Sequence, residues 1–140
     1  MEICVAGWYF ERAFLGKLAE VRDSFNTTIV SHLPDAWKGY SLNGARVITI
    51  PNIGLEFGCY DYYLKNVWNG RDDVLFMHDD TKVKNTGVFD SISKLSVDCA
   101  YIFRDYSEEK ANGGKHGRAI FCSARLLSNQ QMLESDLTAC

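Results

Sequence analysis

The chain has 140 residues, a net charge of −3 and a hydrophobic fraction of 46%, which suits one folded domain and excludes a disordered chain. With a pI near 5.6 there is no basic field of the kind that would make nucleic acid the main partner. No stretch approaches the ~20 apolar residues of a membrane span, and "MEICVAGWYF" lacks the basic region of a signal peptide, so a cytoplasmic location is expected.

"EICVAG" (2–7) is a short apolar run ending in Gly7 and predicts a buried strand. "ERAFLGKLAEVRD" (11–23) places Phe14, Leu18 and Val21 at helical spacing. The β-branched "NTTIVSHL" (26–33) predicts a second strand, and "PDAWKGYSLNG" (34–44), with its turn formers, a loop. "ARVITI" (45–50) predicts a third strand, stopped by Pro51. In "FGCYDYYLKNVW" (57–68), Tyr60, Tyr63, Leu64, Val67 and Trp68 follow the pattern of an amphipathic helix whose aromatic stripe belongs to the core. "DVLFMHD" (73–79) predicts a fourth strand, "GVFDSISKL" (87–95) a short helix and "DCAYIF" (98–103) a fifth strand. "SEEKANGGKHG" (107–117) reads as a loop, "RAIFCSARLL" (118–127) begins as a strand, and the tail to Cys140 is helical in pattern.

Strands alternating with helices predict an α/β fold with a mostly parallel central sheet and helices on both faces. Segments 45–50, 73–79 and 98–103 are expected to be neighbouring strands of that sheet. Of the five cysteines, none forms a C-x-x-C pair. Cys4, Cys99 and Cys122 sit in apolar runs, where a thiol acts as a small hydrophobe, in keeping with a reducing compartment.

The informative stretch is "VLFMHDD" (74–80), an apolar strand running straight into an imidazole and two carboxylates. Open α/β sheets bind ligands beyond the carboxyl ends of their strands. Adjacent carboxylates repel unless hydrated, protonated or bound to a cation, and carboxylates with phosphate oxygens make a Mg²⁺ or Mn²⁺ environment. A simple turn, with Asp79, Asp80 and Thr81 capping the loop that follows, explains the same residues in isolation.

Context favours the site. "PNIGLEFG" (51–58) follows the third strand and leads into the helix before "VLFMHDD". In this order and spacing the chain resembles the nucleotide-diphospho-sugar transferases of the GT-A fold, closest to the family 2 glycosyltransferases and the rhamnan-synthesis type. Those families carry N-x-G-(R/K)-(D/E) after the third strand and a D-x-D or degenerate "hDD" motif at the end of the next; Asn52, Gly54, Glu56 and "HDD" match. The likeness covers roughly Met1 to Phe103. It implies a single GT-A-like domain over 1–140, with 1–103 as the donor-binding half and 104–140 as a short remainder of the acceptor side. Enzymes of this fold are usually considerably longer, so a minimal transferase, a piece of a longer one and a diverged binding module are all expected forms.

Carried over by position, the resemblance implies that Asp80 holds the metal bridging the donor diphosphate, Mn²⁺ or Mg²⁺. Asp79 is the middle residue of the motif, and His78 stands where the family has its first aspartate, which contacts the ribose or sugar. Leu55 replaces the usual basic residue. The end of the first strand, Ala6, Gly7, Trp8 and Tyr9, implies the wall for the base, where an aromatic can stack. The catalytic base of inverting members maps to the region of Asp105, Glu108 and Glu109, and His116 is a further candidate metal or phosphate contact. His32 has no partner pattern and receives no role. The implied partners are a nucleotide-diphosphate sugar and a glycan or other acceptor. The leading expectation is a metal-dependent glycosyltransferase; the alternative is a non-catalytic α/β domain that binds a nucleotide or a partner. A phosphohydrolase or nuclease lacks the additional acidic motifs a two-metal site needs.

Overall fold

The wholly buried run at the N-terminus becomes strand β1 (Glu2–Gly7). A computed structural model describes residues 1–8, 10–32, 46–102 and 119–129. Within them the chain continues through α1 (Arg12–Val21), β2 (Thr27–Ser31), β3 (Arg46–Thr49), α2 (Leu55–Asn66) and β4 (Val74–His78). It then forms α3 (Gly87–Ser93), β5 (Cys99–Ile102), β6 (Ala119–Cys122) and a single-turn helix α4 (Ala124–Leu127).

The strands form one six-stranded sheet in the order β3-β2-β1-β4-β6-β5. β1 pairs in parallel with β2 and with β4, and β2 with β3. β6 is antiparallel to both β4 and β5, so it is the one reversed strand and β5 runs with the rest. The expected α/β class and mostly parallel sheet are therefore present. The expected adjacency is corrected: the strands of segments 45–50, 73–79 and 98–103 share the sheet but none of them pairs with another. Burial explains the order. A strand as enclosed as β1 must satisfy backbone donors and acceptors on both sides, and takes β2 and β4. β3, exposed along most of its length, is suited to an edge.

Period-two alternation divides the side chains between two cores. On one face Ile3, Val5, Ile29, Leu75, Met77 and Phe121 pack against Phe14, Leu15, Leu18 and Val21 of α1 and Phe89 and Ile92 of α3. On the other, Cys4, Ala6, Val30, Val74, Phe76, Ile120 and Cys122 meet Cys59, Tyr60 and Tyr63 of α2 and Leu126 and Leu127 of α4. Leu64, Val67 and Trp68 complete that second core as partly buried residues, as the helical stripe predicts. Helices thus cover both faces. α2 starts two residues earlier than its apolar pattern suggests, because Gly54 (φ 84°) and Leu55 (φ 55°) turn the chain sharply into it. Gly58 lets that turn close: a Cβ there would lie 1.7 Å from the Ile53 carbonyl oxygen. The expected loops at 34–44 and 107–117 and most of the helical tail lie outside the described residues.

Candidate functional site at the carboxyl edge

The chain leaves β1 towards β2 and β3, then returns through α2 to place β4 on the other side of β1. That reversal is a topological switch point, the place beyond the carboxyl ends of β1 and β4 where open α/β sheets bind ligands. Ala6 lies opposite His78 in the β1–β4 register, and the Asp79 N–H donates to the Ala6 carbonyl at 2.9 Å. The end of β1 and the "HDD" turn are therefore brought together at the carboxyl edge of the sheet.

Asp79 is the centre of the arrangement. Its side chain is only 8% exposed, and its Oδ2 accepts the Trp8 backbone N–H at 2.8 Å. Gly7 makes room for it: a Cβ at Gly7 would lie 2.2 Å from the Asp79 carboxyl carbon. The end of β1 therefore needs a glycine because an acid from the next strand occupies the space a side chain would take.

His78 bridges the two acids. Its Nδ1 lies 2.9 Å from Asp79 Oδ1 and 2.8 Å from Asp80 Oδ1. Hydrogen bonds to Asp79 and Asp80 raise its pKa to about 10 against the opposing effect of burial, so at neutral pH the imidazolium offsets part of the carboxylate charge. The Thr81 N–H donates to the His78 carbonyl at 3.1 Å, so residues 78–81 form a turn. The turn expected from the acids in isolation is present, and it is also what gathers three potential ligand groups within 4.8 Å of one another. Asp79 is the enclosed acid and Asp80 the open one, with 37% of its side chain exposed.

His32, given no role from sequence, belongs to the same edge. It follows β2, and its N–H donates to the Gly7 carbonyl at 3.1 Å. Its buried ring stands 5.5 Å from the Trp8 ring, centroid to centroid. Its Nε2 lies 3.0 Å from the Leu55 carbonyl oxygen, which can only accept, so Nε2 carries the proton. The same nitrogen is 3.1 Å from Cys59 Sγ. Burial pushes the Cys59 thiol up to about 12, with Glu56 and Asp79 adding to the rise. Thus Asp79, Trp8, His32 and Leu55 form a chain of contacts from the "HDD" turn to the "NIGLE" segment.

Glu56 occupies the first turn of α2, and its charge, like that of Asp80, bears on the buried Tyr60 hydroxyl. Asn52, Gly54 and Leu55 are exposed beside it, as is Ile53 at 76%. This described segment is accordingly apolar and acidic, with no basic residue between Pro51 and Phe57. Ala6 differs from expectation: its side chain is fully buried in the α2-side core, so it serves the edge through its carbonyl. Tyr9, Asp105, Glu108, Glu109 and His116 lie outside the described residues.

The donor set suits a divalent cation. The two carboxylates match Mg²⁺ or Mn²⁺, and His78 adds a nitrogen ligand only where the cation displaces its proton. Next to them, Thr81 Oγ1 is the one buried side-chain oxygen among the described residues without a hydrogen-bond partner, a vacancy that buried hydroxyls seldom leave.

No known family model matches the sequence, and no curated protein does. Among solved structures, that of M. capricolum TrmK in complex with the natural cofactor product S-adenosyl-homocysteine aligns with a TM-score of 0.31 at 15% identity, over 86% of this chain and 61% of that one. The chain spans less than two thirds of that protein, and a likeness this weak carries no functional conclusion.

Proposed function

We propose that this chain binds a nucleotide-diphosphate sugar together with Mn²⁺ or Mg²⁺ and acts as a glycosyltransferase of the GT-A type. The observation that supports the reading best is the His78–Asp79–Asp80 turn at the β1–β4 switch point, with its ligand atoms within 4.8 Å and an aromatic residue, Trp8, beside it. When bound, the cation neutralises the charge that develops on the leaving diphosphate. Asp80, the more exposed acid, is the ligand. Asp79 has another duty: it holds the Trp8 backbone and orients His78. Trp8, steadied by His32, offers its ring to the base. His78 presents a charged donor towards the ribose or the sugar. The exposed Asn52–Glu56 segment forms the neighbouring wall.

A panel of nucleotide sugars tested by thermal shift with and without Mn²⁺ decides the matter, because a ligand of the native state raises its stability by mass action. We expect stabilisation by a nucleotide diphosphate that depends on Mn²⁺ in the wild type and disappears in Asp80→Asn. Equal responses in the two proteins would remove the proposed metal ligand.

A second reading, a binding domain without turnover, is favoured by one contact. The His78 imidazolium already engages both acids, as a first aspartate in that position would not. Binding of the nucleotide sugar without release of the nucleoside diphosphate, in the presence of varied acceptors, would select it.

A further inference from the structure

Two cysteines that look unrelated in sequence, 23 positions apart, are direct partners across the β5–β6 pair: Cys99 stands opposite Cys122. The register also fixes which kind of partner. The Ser123 N–H donates to the Asp98 carbonyl at 2.8 Å, so Asp98 and Ser123 are a hydrogen-bonded pair. In an antiparallel ladder the next pair inward is then non-hydrogen-bonded, with Cα atoms about 4.5 Å apart and side chains at their closest. Disulfides span Cα separations of about 4.4–6.8 Å. Both residues belong to the α2-side core, Cys122 buried and Cys99 at its partly exposed margin, so the two thiols share a face.

The surrounding residues hold this register. Asp98 Oδ1 accepts from the Ser123 hydroxyl at 2.9 Å and from Arg125 Nε at 3.1 Å, and its other oxygen accepts from Arg125 Nη2. Asp73 Oδ1 accepts the Ala124 N–H at 2.8 Å, tying the same corner to the start of β4. A one-residue slip, which would throw the two thiols to different positions, would break all of these at once. The remaining described thiols have no such pairing: Cys4 faces Thr28 and Phe76 across its ladders, and Cys59 lies against His32.

We propose that Cys99 and Cys122 are an oxidative modification site, a thiol pair that a small-molecule disulfide converts into a reversible cross-strand bridge. The Cys99 sulfur, as thiolate, attacks one sulfur of the small disulfide, whose S–S bond breaks and releases one thiolate with the electron pair. Cys122 then loses its proton to solvent and attacks the Cys99 sulfur of the mixed disulfide, expelling the second small thiolate. Two protein thiols and one small disulfide thus become one protein disulfide and two small thiols. The bridge sits where Cys122 faces Val74, at the opposite end of β4 from His78. Its effect is on the cohesion of the sheet, and it stands whether or not the carboxyl edge binds a nucleotide sugar.

The test uses the full chain, first reduced with dithiothreitol and then equilibrated with oxidised and reduced glutathione at several ratios. We expect the intact mass to fall by two hydrogens, a peptide map to join Cys99 to Cys122, and the melting temperature to rise by roughly 5–10 °C through closure of the intervening loop. Dithiothreitol should reverse all three. Cys99→Ser should abolish them and Cys140→Ser should leave them unchanged. A bridge joining other cysteines, a glutathione adduct that persists on Cys99, or thiols that stay reduced at every ratio would each overturn the proposal.

Discussion

At the amino end of the sheet, Glu2 accepts hydrogen bonds from Tyr63 and Asn26, Asp73 receives the first N–H of α4, and Asp98 is shared by Ser123 and Arg125. At the carboxyl end, Asp79 and Asp80 crowd around one imidazole, Glu56 adds a further charge, and the Thr81 hydroxyl is buried without a partner. The same residue types therefore do different things at the two ends. In the first group each acid meets donors from another element and closes a joint between elements. In the second, Asp79 and Asp80 both turn to the same imidazole, and carboxylate oxygens gathered at one sheet edge are what a cation requires. An end whose acids join separate elements supports the fold, and an end whose acids gather on one turn is the place to look for chemistry.

The contrast can be broken most sharply at Gly7. Gly7→Ala drives a methyl group into the Asp79 carboxylate, and the resulting strain is expected to cost about 3 kcal/mol. Urea denaturation measures it, and the variant should also lose any Mn²⁺-dependent ligand response. A variant as stable as the wild type would mean that Asp79 can move freely, and the carboxyl edge would lose its fixed centre. Tyr63→Phe probes the other end. It leaves the buried Glu2 carboxyl short of a donor, at a cost of about 2 kcal/mol, while ligand responses stay as they are. A changed response would show that the two ends are not separate in function.

A pH series tests the His78 bridge more gently. Its folded pKa of about 10 stands above the roughly 6.5 of an unfolded histidine. Its contribution to stability is therefore complete below the lower value and is lost as pH rises through the higher one. The stability difference between wild type and His78→Gln should shrink steadily across that window. A difference that grows with pH would rule out the imidazolium bridge. The smallest effect belongs to Arg125→Gln. The pair it forms with Asp98 is exposed, and exposed ion pairs are screened by solvent and salt. Chemical denaturation should give a small change in low salt and a still smaller one in high salt, and a large, salt-independent one would mean the corner is more enclosed than its surface position indicates.

Sequence patterning carried the strands and helices well where burial is one-sided or complete. "EICVAG" and "VLFM" are legible as strands because strands buried on both faces are continuous apolar runs. The order of the strands is not written in any local pattern, since β1 pairs with residues near position 27 on one side and near position 74 on the other. The α2 start was hidden by Leu55, whose positive φ is foreign to bulky side chains. At the site, "HDD" stands out in the sequence as acids at a strand end and the end of β1 enters only through the resemblance, whereas His32 does not stand out at all. A lone histidine carries no motif. The available signal was positional: it follows "TTIVS" as Trp8 follows "EICVAG" and Asp79 follows "VLFMH", each just past the end of a parallel strand. Which acid is enclosed and which is open depends on Gly7 and the Trp8 N–H, and neither shows in the order of residues.

The central place of β1 also has a consequence for how the chain comes into being. β1 leaves the ribosome before either of the strands that flank it in the sheet, and its second partner, Val74–His78, is made some seventy positions later. Until then one side of "EICVAG" is an unpaired edge, and its apolar side chains have only part of their cover. Pairings so distant in sequence close slowly, because the loop between them must be ordered before the contact gives anything back. A nascent chain halted before Val74 thus presents an open, sticky strand of the kind that invites association with other chains. The strand that anchors the finished sheet is thus, during synthesis, left open on one side.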